Sequence, residues 1–186
     1  GNVVKSRISI GKAAMPLMER LHREIGESVN LGVRQGDEIV YVERTSSGRS
    51  SIRVVHLVGA RAPLHVTAVG KLYLAEDGPQ KLRDYAKRTG LPGYTATSLT
   101  TVAALERDVD RARRHGVAFD NEEIEQGLRC VAAPVRDDTG ELVAGLSVSA
   151  PAERHNPDWI ERVKQTADAI SLAIGYQAPK ATPKTH

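Results

Sequence analysis

The sequence predicts an α+β domain in which an antiparallel sheet of about six strands is flanked by helices. Three observations support this class. Alternating apolar residues occur in two separate groups of strands, each group contains a turn typical of a β-hairpin, and stretches with helical spacing stand before, between and after the two groups. Because hairpins pair their strands antiparallel, whereas a doubly wound parallel sheet needs a crossover after each strand, the parallel alternative is disfavoured.

The first half of the chain begins with a helix and continues as three strands. Residues 10–27 show the helical spacing of apolar side chains and end at Gly26, with Pro16 either kinking the helix or starting its main segment. The segment SVNLGVRQ then alternates, and after a turn the segment EIVYVER completes a hairpin. The segment SIRVVHLV, residues 51–58, is the predicted third strand.

The second half begins with the loop GARAPLHV, which leads into a short helix starting near Thr67. Two further helices are predicted for PQKLRDYAKR and for VAALERDVDRARRHG, the latter ended by its glycine. The second group of strands comprises VAFDNEE, RCVAAPVR and ELVAGLSVSA, the last two joined by a turn at residues 137–140. Asn156 and Pro157 are typical of a helix start and precede the last helix, WIERVKQTADAISLAIGYQ. Residues 179–186 are expected to be a disordered tail.

Composition limits the class of protein. The chain has 186 residues, of which 40% are hydrophobic and 26% charged, the balance of one globular domain of ordinary size. No apolar run approaches the roughly 20 residues of a membrane-spanning helix, no secretory signal is visible, and one cysteine allows no internal disulfide. We therefore expect a cytoplasmic protein without a membrane partner. A net charge of +3 is too small to indicate a nucleic-acid-binding surface, and the basic stretch at residues 107–114 alternates with acids as a solvated helix face does.

The motifs of common enzyme classes are absent from the sequence. It contains no P-loop, no GxGxxG after a strand, no GxSxG elbow and no metal-ligand spacing such as HExxH or CxxC. A cysteine nucleophile requires a lowered pKa, whereas Cys130 starts the apolar strand CVAAPV and is expected to be a buried thiol. His65, which lies close to the helix start at Thr67, is expected to make loop hydrogen bonds rather than to act as a base.

Four carboxylates precede Cys130 in the stretch FDNEEIEQGLRC. Neither a helical nor an extended conformation of this stretch pairs them in an obvious catalytic geometry. Glu122, Glu123 and Glu125 are expected to be solvated loop charges. Asp120 lies at the end of a strand and is expected to face inward, where a carboxylate needs hydrogen-bond donors, so it is a candidate site residue.

Two further features are typical of a ligand-binding surface. Ser147 and Ser149 lie two residues apart in LSVSA and therefore share one face of a strand, which is either solvent-exposed or the lining of a polar pocket. Free backbone N–H groups at the helix start between Thr67 and Gly70 favour a ligand carboxylate or phosphate, and Gly70 permits close approach. A helix start that is merely capped by Thr67 is the simpler alternative.

Three segments resemble the effector-binding domain of IclR-type bacterial transcription regulators: ESVNLGVRQGDEIVYVER, PLHVTAVGKLYLA and GVAFDNEEIEQGLRCVAAPVRDDTGELVAGLSVSAP. The resemblance covers about residues 10–176 and implies a fold similar to GAF and PAS-like sensor domains, with residues 1–178 as one effector-binding domain. It implies a regulator rather than an enzyme, assembled as a homodimer or homotetramer. It also implies an N-terminal winged helix-turn-helix domain that binds DNA and is absent from this chain. Since the sequence begins GNVVKSRIS, without methionine or helix cap, we expect it to be part of a longer protein.

The resemblance further implies which positions bind the effector. They are the backbone at Ala68 and Val69, the acidic position Asp120, the side chains of Leu128 and Cys130, the hydroxyls of Ser147 and Ser149, and an apolar wall with Val54 and Ala62. Ala68 stands where some relatives have glycine, which would narrow the mouth of the pocket. Together with the helix start at Gly70, these groups suit a small organic acid, either a hydroxy or keto acid or an aromatic acid such as a hydroxybenzoate. Neither a cofactor nor a metal is expected.

The expected mechanism is that effector binding changes dimer or tetramer geometry and so modulates DNA binding. Three other interpretations of the sequence are an enzyme, a domain that only oligomerises and a metal site. A GAF-like enzyme would use Cys130 in redox or nucleophilic chemistry, and a domain that only oligomerises would have an empty or collapsed pocket. A metal held by Asp120, Cys130 and His65 is a lesser alternative, because their spacing matches no common ligand pattern.

Overall fold

The computed structural model describes residues 2–45 and 57–180 of the chain, with side chains described from Ser9 onward. These ranges contain five α-helices: α1 (Asn2–Ile25), α2 (Ala68–Asp77), α3 (Pro79–Thr89), α4 (Val102–His115) and α5 (Trp159–Ala173). They also contain six strands: β1 (Ser28–Gln35), β2 (Glu38–Thr45), β3 (Arg61–Pro63), β4 (Ala118–Asn121), β5 (Leu128–Arg136) and β6 (Leu142–Pro151). Within the same ranges, no helix has both the length and the hydrophobicity that crossing a bilayer requires.

The six strands form one antiparallel sheet in the order β3-β2-β1-β6-β5-β4, which confirms the predicted fold class. Both predicted hairpins are present, as β1–β2 and β5–β6. The pairing of β1 with β6 joins them and places Asn30 opposite Ser147 and Gly32 opposite Gly145. The middle of the sheet therefore brings together residues from both halves of the chain.

Helices cover both faces of this sheet. α1 and α5 pack on one face, over a core that includes Leu31 and Val148. α2 packs on the other face, with α3 and α4 against it, and this core includes Tyr41 and Leu72. Because helices lie against both faces, side chains on both sides of the central strands are buried, the polar ones included.

Two glycines let α2 approach the sheet closely. Gly32 and Gly145 are partners in the β1–β6 pairing. A Cβ added to Gly145 would lie 2.6 Å from Val69 Cγ1, and one added to Gly32 would lie 3.3 Å from the same atom. The first turn of α2 is therefore seated directly on the centre of the sheet.

The third strand differs from the prediction. β3 lies in GARAP, which was expected to be a loop, whereas residues 51–56 of the predicted strand lie outside the described residues. Leu57 and Val58, its last two residues, lie in an exposed bend and turn. β3 has only three residues and ends at Pro63, so it is too short to show alternation, and its edge position tolerates the proline.

Helix boundaries differ by smaller amounts. α1 begins at Asn2, well before the predicted start at Ile10, and continues through Pro16 as one helix. α5 begins at Trp159, and Asn156 Oδ1 accepts a hydrogen bond from the Asp158 N–H at 2.9 Å, so the asparagine caps the turn before the helix. Of the predicted tail, residues 181–186 lie outside the described residues.

Candidate functional site

A line of polar side chains crosses the middle of the sheet on the face covered by α2. We call it the polar strip, and its members are Asn30 in β1, Ser147 and Ser149 in β6, Cys130 in β5 and Asp120 in β4. The register aligns them, because Asn30 lies opposite Ser147, and Cys130 lies opposite both Ser149 and Asp120. All five side chains are buried, with Asn30 0% and Asp120 1% exposed. Ser147 and Ser149 therefore share a strand face, as predicted, and that face is closed to solvent.

Hydrogen bonds connect the polar strip from Asn30 towards Asp120. Asn30 Nδ2 donates to Ser149 Oγ at 2.9 Å and to Ser147 Oγ at 3.4 Å. Ser149 Oγ lies 3.3 Å from Cys130 Sγ. The Cys130 thiol in turn faces the Asp120 carboxyl across the β4–β5 pairing. The strip thus runs from an amide donor at one end to a carboxyl acceptor at the other.

Two oxygen atoms of the polar strip are left without partners. Asn30 Oδ1 and Asp120 Oδ2 are buried and have no hydrogen-bond partner among the described residues. The other carboxyl oxygen, Asp120 Oδ1, accepts from the backbone N–H of Glu123 at 2.8 Å. A buried polar atom without a partner costs about 1–3 kcal/mol, so such atoms are uncommon unless a ligand or a function requires them.

Burial controls the ionisation of the polar strip. It raises the pKa of Asp120 from 3.8 to about 7; the nearby Glu123 carboxylate adds to the rise, while backbone N–H groups and Lys71 oppose it. Burial also raises the pKa of the Cys130 thiol well above its usual value, and the negative charge of Asp120 acts in the same direction. At neutral pH, Cys130 is therefore a thiol rather than a thiolate nucleophile, whereas Asp120 is divided between its acid and carboxylate forms.

The N-terminus of α2 lies beside the polar strip. Val69 packs on Gly32 and Gly145, which are two residues along their strands from Asn30 and Ser147. The first N–H groups of a helix have no partner within the helix. In the first turn of α2, the N–H groups of Ala68 and Val69 are at this end of the helix, which is where an anion is favoured.

Thr67 caps α2, which was the simpler alternative for this helix start, and Gly70 has a different role from the expected one. The Gly70 N–H donates to Thr67 Oγ1 at 3.0 Å. A Cβ on Gly70 would lie 2.2 Å from the Leu64 carbonyl oxygen, so the missing side chain lets the helix pack against the turn before it. Since the fold itself uses this N–H and the space beside the Cα, we remove Gly70 from the candidate site.

A buried ion cluster anchors the loop that follows Asp120. Lys71 Nζ, 0% exposed, lies 2.8 Å from Glu123 Oε1, 2.6 Å from Asp108 Oδ2 and 2.7 Å from the Phe119 carbonyl oxygen. The expectation that Glu123 is a solvated loop charge is therefore wrong, because Lys71 draws it to 3% exposure. Removing one partner of such a pair leaves a buried charge uncompensated, at a cost of about 3–5 kcal/mol, so the cluster fixes the loop to α2 and α4.

The apolar positions implied by the resemblance lie in the core on the same face. Leu128 and Ala62 are buried there together with Ile39 and Tyr41. Val54 lies outside the described residues. The described part of the chain therefore places an apolar wall next to the polar strip.

His65 is occupied within the fold, as the sequence indicated. Its Nδ1 lies 2.8 Å from the Tyr85 hydroxyl and its Nε2 lies 2.8 Å from the Pro92 carbonyl oxygen. Across residues 2–45 and 57–180, no group of three His, Cys, Asp or Glu side chains is arranged to hold a metal ion. The alternative metal site with Asp120, Cys130 and His65 as ligands is therefore not formed by these side chains.

Two polar residues at this site, Asn30 and Arg44, were not predicted from the sequence. Asn30 lies in SVNLGVRQ, where the alternation of apolar residues predicts a strand but does not indicate that the asparagine is buried at a site. Arg44 lies opposite Asn30 and donates from Nη2 to Ser28 Oγ at 2.9 Å, while its Nε and Nη1 have no partner among the described residues. A signal was available, because β1 and β6 carry small or polar residues at every second position, namely 28, 30, 32 and 145, 147, 149. Two such strands side by side indicate a buried polar surface.

Open clefts on the surface are weaker candidates. One of about 450 Å³ runs along α4 and is lined by Arg107, Asp110, Arg111, Arg113 and Arg114. It lies on a helix face where Asp110 already pairs with exposed Arg113, in agreement with the predicted solvated face. Another, of about 430 Å³, lies between residues 94–97 and 122–126. Neither is lined by a member of the polar strip, whose buried atoms make a stronger case for a ligand.

The family model described as Bacterial transcriptional regulator IclR C-terminal matches residues 3–174. The HTH-type transcriptional repressor AllR of Klebsiella pneumoniae is 38% identical over 166 residues, which are 87% of this chain and 61% of that protein. The chain thus spans less than two thirds of the length of this curated relative.

Solved structures show the same architecture. The C-terminal domain of the Escherichia coli transcriptional regulator KdgR has a TM-score of 0.78 and 32% identity, and the match covers 90% of this chain and 99% of that one. An IclR homologue from Microbacterium hydrocarbonoxydans, solved in complex with 4-hydroxybenzoate, has a TM-score of 0.84 and 26% identity, and the match covers 90% of this chain and 69% of that one. The fold is the GAF/PAS-like fold of these C-terminal regulator domains.

Proposed function

Since the chain belongs to the IclR family of bacterial transcriptional regulators and comprises its effector-binding domain, we propose that it binds a small organic acid at the polar strip. We propose further that this binding modulates DNA binding by the full-length regulator through the geometry of a homodimer or homotetramer. The observation that carries the proposal is the buried polar strip, with two unpaired oxygen acceptors, beside the first turn of a helix.

An acid would meet complementary groups at this place. Its carboxylate suits the N–H groups of Ala68 and Val69 and the hydroxyls of Ser147 and Ser149. Arg44, a cation on the neighbouring strand, adds a favourable field for an anion. The apolar part of the ligand would pack against a wall that includes Leu128 and Ala62.

Asp120 limits the kind of acid. As a carboxylate it would repel a ligand carboxylate, unless it accepts a hydrogen bond from a ligand hydroxyl or takes up a proton. Its pKa of about 7 places protonation within reach at neutral pH. A hydroxy or keto acid, or a hydroxylated aromatic acid, therefore fits this position, and one homologue of this family was solved with 4-hydroxybenzoate bound.

Thermodynamic linkage connects effector binding to DNA binding by the full-length regulator. A ligand shifts the balance between two assembly geometries only by its difference in affinity for them, typically about 1–3 kcal/mol. The polar strip draws side chains from β1, β4, β5 and β6, so a ligand there contacts both halves of the sheet.

The enzyme alternative has no support. The curated relatives are transcriptional repressors and not enzymes. Cys130 is buried, and its raised pKa is the opposite of what a cysteine nucleophile needs.

A thermal-shift screen with small organic acids tests the proposal. The panel would contain lactate, pyruvate, glycolate, 4-hydroxybenzoate and benzoate, each over a concentration series. A specific ligand at about 100 times its dissociation constant stabilises the folded protein by about 2.7 kcal/mol. We expect Asp120→Ala and Ser149→Ala to abolish the shift, while the exposed controls Asp168→Ala and Ser9→Ala retain it. If the first two variants bind the same acid as tightly as the native chain, the site is wrongly placed.

A further inference from the structure

We infer that Asn30 determines effector specificity by accepting a hydrogen bond from the effector, so that this domain selects a hydroxylated acid over the matching acid that lacks the hydroxyl or carries a keto oxygen. The inference rests on the proposed function and deepens it, because it names the chemical group that is recognised and the residue that recognises it.

Asn30 Oδ1 is a buried acceptor without a donor among the described residues. The side chain is 0% exposed, and Oδ1 has no hydrogen-bond partner among those residues. Because an unpaired buried acceptor is costly, a ligand that donates to Oδ1 gains affinity there.

The hydrogen bonds of Asn30 fix the orientation of its amide. Asn30 Nδ2 donates to the hydroxyls of Ser149 and Ser147. The Ser149 hydroxyl lies against the Cys130 thiol, which faces the carboxyl of Asp120. When Asp120 is ionised, its carboxylate can only accept, so the preceding groups can all donate towards it. The –NH₂ of Asn30 therefore points into the strip, and Oδ1 is the atom that remains.

The position of Asn30 suits an acid whose hydroxyl is remote from its carboxylate. Asn30 lies two residues from Gly32, which Val69 of α2 contacts. That separation is about 7 Å along a strand, which matches the spacing of carboxylate and hydroxyl in a para-hydroxylated aromatic acid better than in a 2-hydroxy acid, whose hydroxyl is on the carbon next to the carboxylate. An effector whose carboxylate lies at the first turn of α2 can thus place a hydroxyl at Asn30 Oδ1.

The consequence is discrimination between closely related acids. A ligand without a donor leaves Oδ1 unpaired, and a keto oxygen would set two acceptors against each other. A site built to pair a hydroxyl rejects the analogue that lacks it, and we expect a loss of about ten- to one-hundred-fold in affinity.

Calorimetric titration with matched pairs tests the inference. The pairs are lactate with pyruvate, and 4-hydroxybenzoate with benzoate. We expect the native chain to prefer the hydroxyl member of the pair that it binds by about ten-fold or more. In Asn30→Leu, which has a similar volume, this preference should fall to near unity because the hydroxyl member alone loses affinity. Asn30→Ala, which adds no bulk, should give the same ratio if the leucine variant does not fold, and the exposed control Ser9→Ala should retain the preference.

The outcomes separate the two proposals. If a hydroxy acid binds the native chain and Asn30→Leu keeps the preference for it, another group recognises the hydroxyl and the inference about Asn30 fails, but the effector site stands. A native preference for pyruvate or benzoate would also overturn the inference alone. If no acid binds the native chain, the proposed function fails and the inference falls with it.

Discussion

The charge of Asp120 depends strongly on the surroundings of its side chain. Its side chain lies at one end of the polar strip, and burial raises its pKa to about 7. The groups that face it are the Glu123 carboxylate, the Lys71 ammonium and the Cys130 thiol. A small change around it therefore changes its protonation near neutral pH.

This shift predicts a pH dependence of stability. Because the pKa of Asp120 is higher in the folded than in the unfolded chain, its contribution is fully present below about pH 4 and is lost as the pH rises through about 7. Asp120→Asn removes that loss. Relative to the native chain, the variant should gain about 3 kcal/mol in free energy of unfolding between about pH 5 and pH 8, measured by urea denaturation at several pH values.

The matched control for this measurement is Asp168→Asn, which changes an exposed carboxylate on α5. The comparison shows how much of the change arises from the loss of a carboxylate at the surface. A pH-independent difference between Asp120→Asn and the native chain would show that Asp120 titrates at its ordinary pKa.

The burial and orientation of a single residue were predictable from the sequence where the local pattern determines them. The shared face of Ser147 and Ser149 follows from strand periodicity alone. Asn30 and Glu123 were not predictable in this way, because their burial depends on α2 covering the sheet and on Lys71 reaching the loop. Those contacts join residues far apart in the chain, and no local pattern encodes them.

At the scale of elements, the contact between α2 and the central strands positions the helix start. Val69 occupies the space that a side chain at Gly145 would fill, and Ile39 and Val69 both lie close to the place of one at Gly32. The two opposed glycines in the β1–β6 pairing are therefore a requirement of the site's geometry as well as of the fold.

A double-mutant cycle tests this contact. Gly145→Ala would place a Cβ 2.6 Å from Val69 Cγ1, and overpacking of this kind costs about 1–3 kcal/mol. Val69→Ala removes the opposing methyl groups, so the double variant should be more stable than the sum of the two single effects predicts. Denaturant unfolding of the four proteins measures the coupling, and strictly additive effects would show that the helix does not rest on Gly145.

Elements defined by local sequence were predicted well. The two hairpins, the capped start of α2 and the glycine end of α4 agree with the structure, because turns and caps depend on neighbouring residues. β3 and the start of α1 were not predicted. A three-residue edge strand has too little pattern to detect, and the first residues of α1, NVVKSRIS, carry no N-cap signal to mark the start of the helix.

At the scale of the whole molecule, the sheet has a helix layer on each face, and the candidate site lies between the sheet and one of them. Its groups come from β1, from the start of α2 and from β4 to β6, so residues between Asn30 and Ser149, far apart in the sequence, contribute. We propose that an effector at this place acts as a bridge between those elements and thereby biases the assembly of the full-length regulator.

An amide-resolved NMR titration of the chain tests the central claim, that an organic acid binds between the start of α2 and the polar strip. The titrant is the acid that stabilises the chain most in the thermal-shift screen. We expect saturable shifts of the Ala68 and Val69 backbone amides and of the Asn30 side-chain amide, absent in Ser149→Ala. Shifts confined to the arginines of α4 or to the cleft at residues 94–97 and 122–126, with Ala68 and Val69 unmoved, would contradict the account.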